Sequence, residues 1–291
     1  MKPQSALGLL ASPYLSLFSF GDSYSSTGFN VSSTQPSLQN PMGNPRLGDG
    51  TAADSINWIG YLTTVYNDTP ILSYNHAVFG ATVDNKIVPG EPWDLASQIE
   101  QTFKPHYCLD SSLQSERQSR FQPHSQSQSH WTSDAALFAI WVGINDIDQI
   151  YTLPDYPAFI DRDIQRYFNL IDTLYACGAR DFLFINVPPV NRTPKVLNFP
   201  PEEQILYAET IDAYNRKLLI ALVDWQTHQT DVTVRGYDAW TFMTNVLDRP
   251  REYGFFSGTC MGEGCVWWDD YHPRSAFHEL LAEDVALLLR E

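Results

Sequence analysis

The chain has 291 residues, enough for one large α/β domain or two small ones, and its 43% hydrophobic content can bury a substantial core. Against 18 Lys and Arg stand 34 Asp and Glu, and the net charge of −16 disfavours nucleic acid, anionic membrane and polyanionic substrates as partners. No apolar run approaches the ~20 residues of a membrane span, and the stretch 6–11 is too short for the core of a signal peptide.

The first apolar run, 15–20, predicts a buried strand that leads into Gly21-Asp22-Ser23-Tyr24. The Pro-, Gly- and Asn-rich loop at 35–50 follows and is a candidate wall of a cleft. Asp54 or Ser55 can cap a helix through about residue 66, and a second strand is expected at 71–75. Asp94 can cap another helix, through about residue 103. Between 111 and 130, 12 of 20 residues are Ser or Gln, so this part adds little to a core. An insertion at about 105–133, either a surface excursion or a lid, accounts for it.

A third strand is expected at 135–142 and a helix at 161–176, with Ile164, Phe168, Ile171 and Tyr175 at helical spacing and Gly178 as its stop. Strands at 181–187 and 232–237 flank a long helix striped by Ile211, Leu218, Leu222 and Trp225, and a last helix closes the chain at 277–289. Strands alternating with helices imply a central, mostly parallel sheet of about five strands covered on both faces, a three-layer α/β/α sandwich. We expect a single domain, because the chemistry-bearing residues come from both ends of the chain.

At the amino end, Gly21 lets the chain turn so that the Ser23 hydroxyl emerges beyond the strand's carboxyl end, where open α/β sheets place their chemistry. Gly, Asp and Ser are also ordinary turn residues, so the triplet alone decides nothing. At the carboxyl end, Asp269-Asp270-Tyr271-His272 supplies a carboxylate three residues before a histidine, and nucleophile, base and orienting acid are then all available. Asp270 is the competing carboxylate, with the poorer spacing. No Gly-x-Ser-x-Gly elbow is present, which argues against an α/β-hydrolase while leaving serine-ester chemistry open.

Asn75-His76-Ala77-Val78-Phe79-Gly80-Ala81 and Val142-Gly143-Ile144-Asn145-Asp146 lie between these ends, and the four segments together resemble the GDSL, or SGNH, hydrolases, with the fungal carbohydrate acetyl esterases as the finer likeness. The resemblance spans about residue 15 to the end. It implies Ser23 as nucleophile, His272 as base and Asp269 as its partner, with the Ser23 and Gly80 N–H groups and the Asn145 amide as oxyanion donors. Taken singly, Gly80 could be a turn glycine and Asn145 an Asx cap, and Asp146 is expected to tie down its loop. Tyr24 departs from the leucine that many relatives carry. The activity implied is an acyl-enzyme esterase acting on partly acetylated sugars or xylo-oligosaccharides. The alternatives are a lipase, phospholipase or acyltransferase on the same scaffold, or a non-catalytic carbohydrate-binding protein.

Trp267 and Trp268 precede the Asp–His pair and are either a platform for a sugar ring or core filling. Asp22, Trp141, His76 and Phe79 are further candidates for contact with substrate. No long apolar groove is apparent in the sequence, so a small acyl group is expected. Cys260 and Cys265, separated by Met-Gly-Glu-Gly, suit a small disulfide loop, while Cys108 and Cys177 are expected as buried apolar residues. Neither a metal site nor a cofactor is expected. Sequons at Asn30, Asn67 and Asn191 and the proposed disulfide suggest a secreted glycoprotein, though no signal peptide is evident in the chain.

Overall fold

The computed structural model describes residues 15–108 and 131–291. Five strands, β1 (Ser16–Gly21), β2 (Leu72–Asn75), β3 (Ala136–Trp141), β4 (Asp181–Ile185) and β5 (Thr233–Tyr237), form one sheet in the order β2-β1-β3-β4-β5. Every pairing is parallel. All five lie within one or two residues of the predicted runs. β1 and β3 are buried along their whole length without alternation, as strands covered on both faces must be.

The described helices are α1 (Trp58–Thr64), α2, α3 (Ile144–Ile150), α4 (Tyr156–Ala176), α5 (Pro194–Leu197), α6 (Pro201–His228), α7 (Ala239–Asp248) and α8 (Ser275–Leu289). α2 is a composite of Leu95–Ser97, a π-helical stretch Gln98–Phe103 and Lys104–Tyr107. In register across the sheet, Phe18 stacks between Tyr74 at 4.8 Å and Phe138 at 5.0 Å, and Phe138 meets Phe182 at 5.9 Å. This aromatic row packs against Phe103 of α2 and Trp225 of α6. Trp141, on the alternate parity of β3, points the other way and meets Trp58 of α1. α1 in turn packs against α8, and α4 against α6. The sheet is therefore covered on both faces, and the expected α/β/α sandwich is observed.

Three local expectations need correction. Asn57, not Asp54 or Ser55, caps α1 by accepting the Gly60 N–H, because Asp54 is engaged elsewhere: its carboxylate accepts the Ser275 N–H at the start of α8 and pairs with Arg274. α4 begins at Tyr156, five residues before the predicted start. Cys108 and Cys177 are buried as expected but are joined, with Cα atoms 4.5 Å apart. Cys108 follows α2 and Cys177 ends α4, and packing on one sheet face brings together two residues 69 apart in sequence. Cys260 and Cys265 also form a disulfide. Residues 35–50 form an irregular loop, stapled by the Asn44 amide to the Asn30 and Thr34 carbonyls. Of the Ser/Gln-rich insertion, 109–130 lies outside the described residues.

Strand order reverses at β1, since the chain leaves β1 for β2 on one side and returns to β3 on the other. A crevice outside the carboxyl ends of the strands forms at such a point. The turns leaving β1, β2 and β3 there carry Ser23, Gly80 and Asn145.

Candidate active site

Gly21 ends β1 with φ +146°, and a Cβ there would lie 1.9 Å from the Trp141 carbonyl oxygen. Only glycine fits so close an approach. The chain then closes a tight turn, with the Asp22 carbonyl accepting the Ser25 and Ser26 N–H groups and its carboxylate accepting the Tyr24 N–H at 3.0 Å. Gln98 holds this turn from the π-helical stretch: its Oε1 accepts the Gly21 N–H at 2.9 Å and its Nε2 donates to the Gly21 carbonyl at 2.8 Å. Such a bidentate pair mimics a neighbouring strand where β2 has ended. No sequence signal marks Gln98 for the task, and π-helical turns recur at functional sites for the re-aiming they allow.

Ser23 Oγ lies 2.9 Å from His272 Nε2. On the far side of the ring, Nδ1 is 2.9 Å from Asp269 Oδ2 and 3.1 Å from Oδ1. Asp269 Oδ1 also accepts the backbone N–H groups of Tyr271 and His272 at 2.8 and 2.6 Å, winding the segment into a compact turn. Partial burial pushes the Asp269 pKa up, but the His272 ring and these two N–H groups outweigh it and hold the carboxyl below its ordinary value. Asp270 is exposed, and its carbonyl accepts the Lys195 N–H. The geometry thus pairs His272 with Asp269, the carboxylate of better spacing.

Gly80 sits in the turn after β2 with φ +69°, in the left-handed region that favours glycine. Asn145 lies in the first turn of α3 and donates one amide N–H to the Ala81 carbonyl at 2.9 Å, which leaves the other free. Its neighbour Asp146 accepts the Val83 N–H at 2.9 Å. Asn145 and Asp146 together bind the Gly80 loop to α3, so Asp146 ties down a neighbouring loop more than its own. The Ser23 and Gly80 N–H groups have no hydrogen-bond partner among the described residues. Two backbone donors without partners among the described residues and one amide N–H thus lie on the turns that leave β1, β2 and β3 at the carboxyl end of the sheet, and such donors are what an oxyanion requires.

Several expected substrate contacts are instead interior. Trp267 is buried, with its indole N–H donating to the Gly258 carbonyl at 2.7 Å, and Trp141 is buried with its N–H on the Asn186 carbonyl. Trp267 turns inward, at an isolated bridge, while Trp268, in the bend that follows, is 47% exposed. Asp22 is fully buried, and burial first of all, together with the Asp146 charge and against the Tyr24 N–H, pushes its pKa up to about 7. His76 is buried too, its Nδ1 2.7 Å from the Thr102 hydroxyl, and burial lowers its pKa to about 3. Phe79 is 41% exposed beside Gly80. Among the described residues no group of His, Cys, Asp and Glu could hold a metal ion.

Residues 17–285 match the GDSL-like lipase/acylhydrolase family. The chain belongs to that family. An acetylesterase of Thermothelomyces thermophilus is 37% identical over 274 residues, covering 93% of this chain and 86% of that protein. An acetylesterase of Hypocrea jecorina is 28% identical over 177 residues, 58% of this chain and 47% of that one. Among solved structures, Axe2, an acetylxylan esterase from Geobacillus stearothermophilus, superposes with a TM-score of 0.52 at 16% identity, covering 94% of this chain and 93% of that one. At that identity the likeness speaks for the fold alone. As a GDSL-family member with acetylesterase relatives the chain is a carboxylic ester hydrolase, and a non-catalytic binding protein is not favoured.

Proposed function

We propose that this enzyme removes acetyl groups from partly acetylated sugars, xylo-oligosaccharides among them, with Ser23 as nucleophile and an acyl-enzyme as intermediate. The observation that carries this reading is the unbroken hydrogen-bonded chain from Ser23 through His272 to Asp269; the unpartnered Ser23 and Gly80 N–H groups and the Asn145 amide, on turns at the same end of the sheet, support it. His272 Nε2 takes the hydroxyl proton as Ser23 Oγ attacks the ester carbon, and the oxyanion that forms is held by the three donors. Collapse breaks the bond to the sugar oxygen, which leaves with the proton from His272. Water, deprotonated by the same ring, then releases acetate and restores Ser23. Asp269, ionised at neutral pH, keeps Nδ1 protonated and stabilises the imidazolium.

The acetyl preference rests on the acetylesterase relatives. Trp268, exposed, next to Asp269 in the chain and bonded through its N–H to the His272 carbonyl at 2.8 Å, offers an aromatic face for the leaving sugar. Two disulfides and the exposed sequon at Asn30 support secretion and glycosylation, and no described helix is long and apolar enough to cross a membrane. Site parts from both ends of the chain support a single domain. The test is a series of nitrophenyl esters with the wild type and Ser23→Ala. Activity should fall from acetyl through butyryl to octanoyl and vanish in the variant without loss of its fold. Faster octanoyl hydrolysis would favour the lipase alternative, and a folded Ser23→Ala variant that still turned over would remove Ser23 from the mechanism.

A further inference from the structure

Resting on the reading of Ser23 and His272 as the reacting pair, we infer that Tyr24 is a positioning residue, whose hydroxyl sets the serine against its base. The Tyr24 hydroxyl donates to the Tyr271 carbonyl at 2.7 Å, across 247 residues of sequence and in a fully buried setting. One end of this bond is the residue after Ser23, and the other is the residue before His272. It is thus a direct tie between the nucleophile turn and the base turn.

Both turns are stiff within themselves. Tyr24 is fastened to its own turn by its N–H on the Asp22 carboxylate, and its ring stands edge-on to Trp141 at 5.5 Å. On the other side, the Tyr271 and His272 N–H groups share Asp269 Oδ1, and the Trp268 N–H donates to the His272 carbonyl at 2.8 Å. Apart from the reacting Ser23–His272 contact itself, this is the hydrogen bond that joins the two stiff turns, and with the Tyr24 ring 5.9 Å from the His272 ring it helps to set their relative placement. Burial raises the Tyr24 pKa well above its ordinary value, so the hydroxyl stays a donor throughout the working pH range. Phenylalanine would fill the same space and lose only the tie.

The second face of Tyr271 is held less directly. Its hydroxyl lies 2.9 Å from the Tyr207 hydroxyl, and Lys195 sits over its ring at 4.7 Å. Those contacts fix the side chain, whereas the Tyr24 bond fixes the peptide that leads into His272.

The experiment compares Tyr24→Phe with Tyr237→Phe, which removes a part-buried tyrosine bond to the Asp284 carboxylate, at 2.8 Å, from the edge strand β5. Each variant loses one tyrosine hydrogen bond outside the reacting groups, so both should remain folded and lose some thermal stability. A 1 Å misplacement of reacting groups costs ~10², and a softened hinge less, so kcat of Tyr24→Phe on nitrophenyl acetate should fall about tenfold with KM within twofold of wild type. The labelling rate by a fluorophosphonate should fall in parallel, and Tyr237→Phe should keep wild-type kcat. A Tyr24→Phe variant with kcat within twofold of wild type overturns the inference, as does an equal loss of kcat in both variants. Ser23→Ala, run alongside, separates the two ideas: its inactivity with a fully active Tyr24→Phe would sink the role of Tyr24 alone, and residual activity in Ser23→Ala would sink the nucleophile assignment beneath it.

Discussion

The disulfide between Cys108 and Cys177 should carry stability without touching catalysis. Its two cysteines stand 69 residues apart, so in the chain-entropy account cross-linking them removes about 4 kcal/mol of freedom from the unfolded state. The same relation gives only about 2 kcal/mol for Cys260–Cys265, separated by five residues. For a chain of this size each kcal/mol moves the thermal midpoint by roughly 2 °C, so Cys108→Ala with Cys177→Ala should lower it by about 8 °C. Alanine is the suitable replacement because both sulfurs are buried and serine would leave an unpaired hydroxyl. Cys177 leads into the amino end of β4, while Ser23, Gly80 and Asn145 follow the carboxyl ends of β1, β2 and β3 in the same parallel sheet. The bridge therefore lies at the end of the sheet away from the site, and kcat on nitrophenyl acetate at 25 °C should be unchanged. Thermal unfolding followed by circular dichroism, with steady-state kinetics on the same samples, reads both quantities. A midpoint shift under about 2 °C would refute the loop-entropy reasoning, and a folded variant with reduced kcat would refute the separation of bridge and site.

Two further outcomes are expected. Asn145→Ala should lower kcat by ~10² to 10³ with little change in KM, as loss of one oxyanion donor does; a change confined to KM would make Asn145 a ground-state contact. Asp22, with its pKa raised to about 7 chiefly by burial, binds a proton in the folded state that the unfolded chain releases near pH 4. The stability it contributes is therefore full below about pH 4 and declines by up to about 1.4 kcal/mol per pH unit until about pH 7. Asp22→Asn keeps an oxygen for the Tyr24 N–H and should flatten the fall of the thermal midpoint between pH 5 and 7; parallel slopes in variant and wild type would show that Asp22 does not titrate there.

Much of this protein was legible in the chain because its information is local. Apolar runs bounded by turn residues located all five strands, and the order of strands and helices implied a parallel sheet, since parallel neighbours need a crossover. The triad candidates were readable because Asp269 and His272 share one turn and Ser23 follows a strand, and four ordered motifs made the likeness to the GDSL family specific. What the sequence left open concerned which side of the backbone a residue faces and what meets it from far away. Trp267 and Trp268 are indistinguishable by composition, yet one is core and the other surface, because Trp267 is bridged to Met261 and Pro273 while Trp268 lies in the bend that follows. The pairing of Cys108 with Cys177, the grip of Gln98 on Gly21 and the bond from Tyr24 to Tyr271 join residues 69, 77 and 247 apart. Residue type sets which bonds a side chain can make. Only the packing of helices on a common sheet decides which distant partner stands within reach, because a hydrogen bond or disulfide tolerates errors of tenths of an ångström and sequence spacing says nothing at that scale.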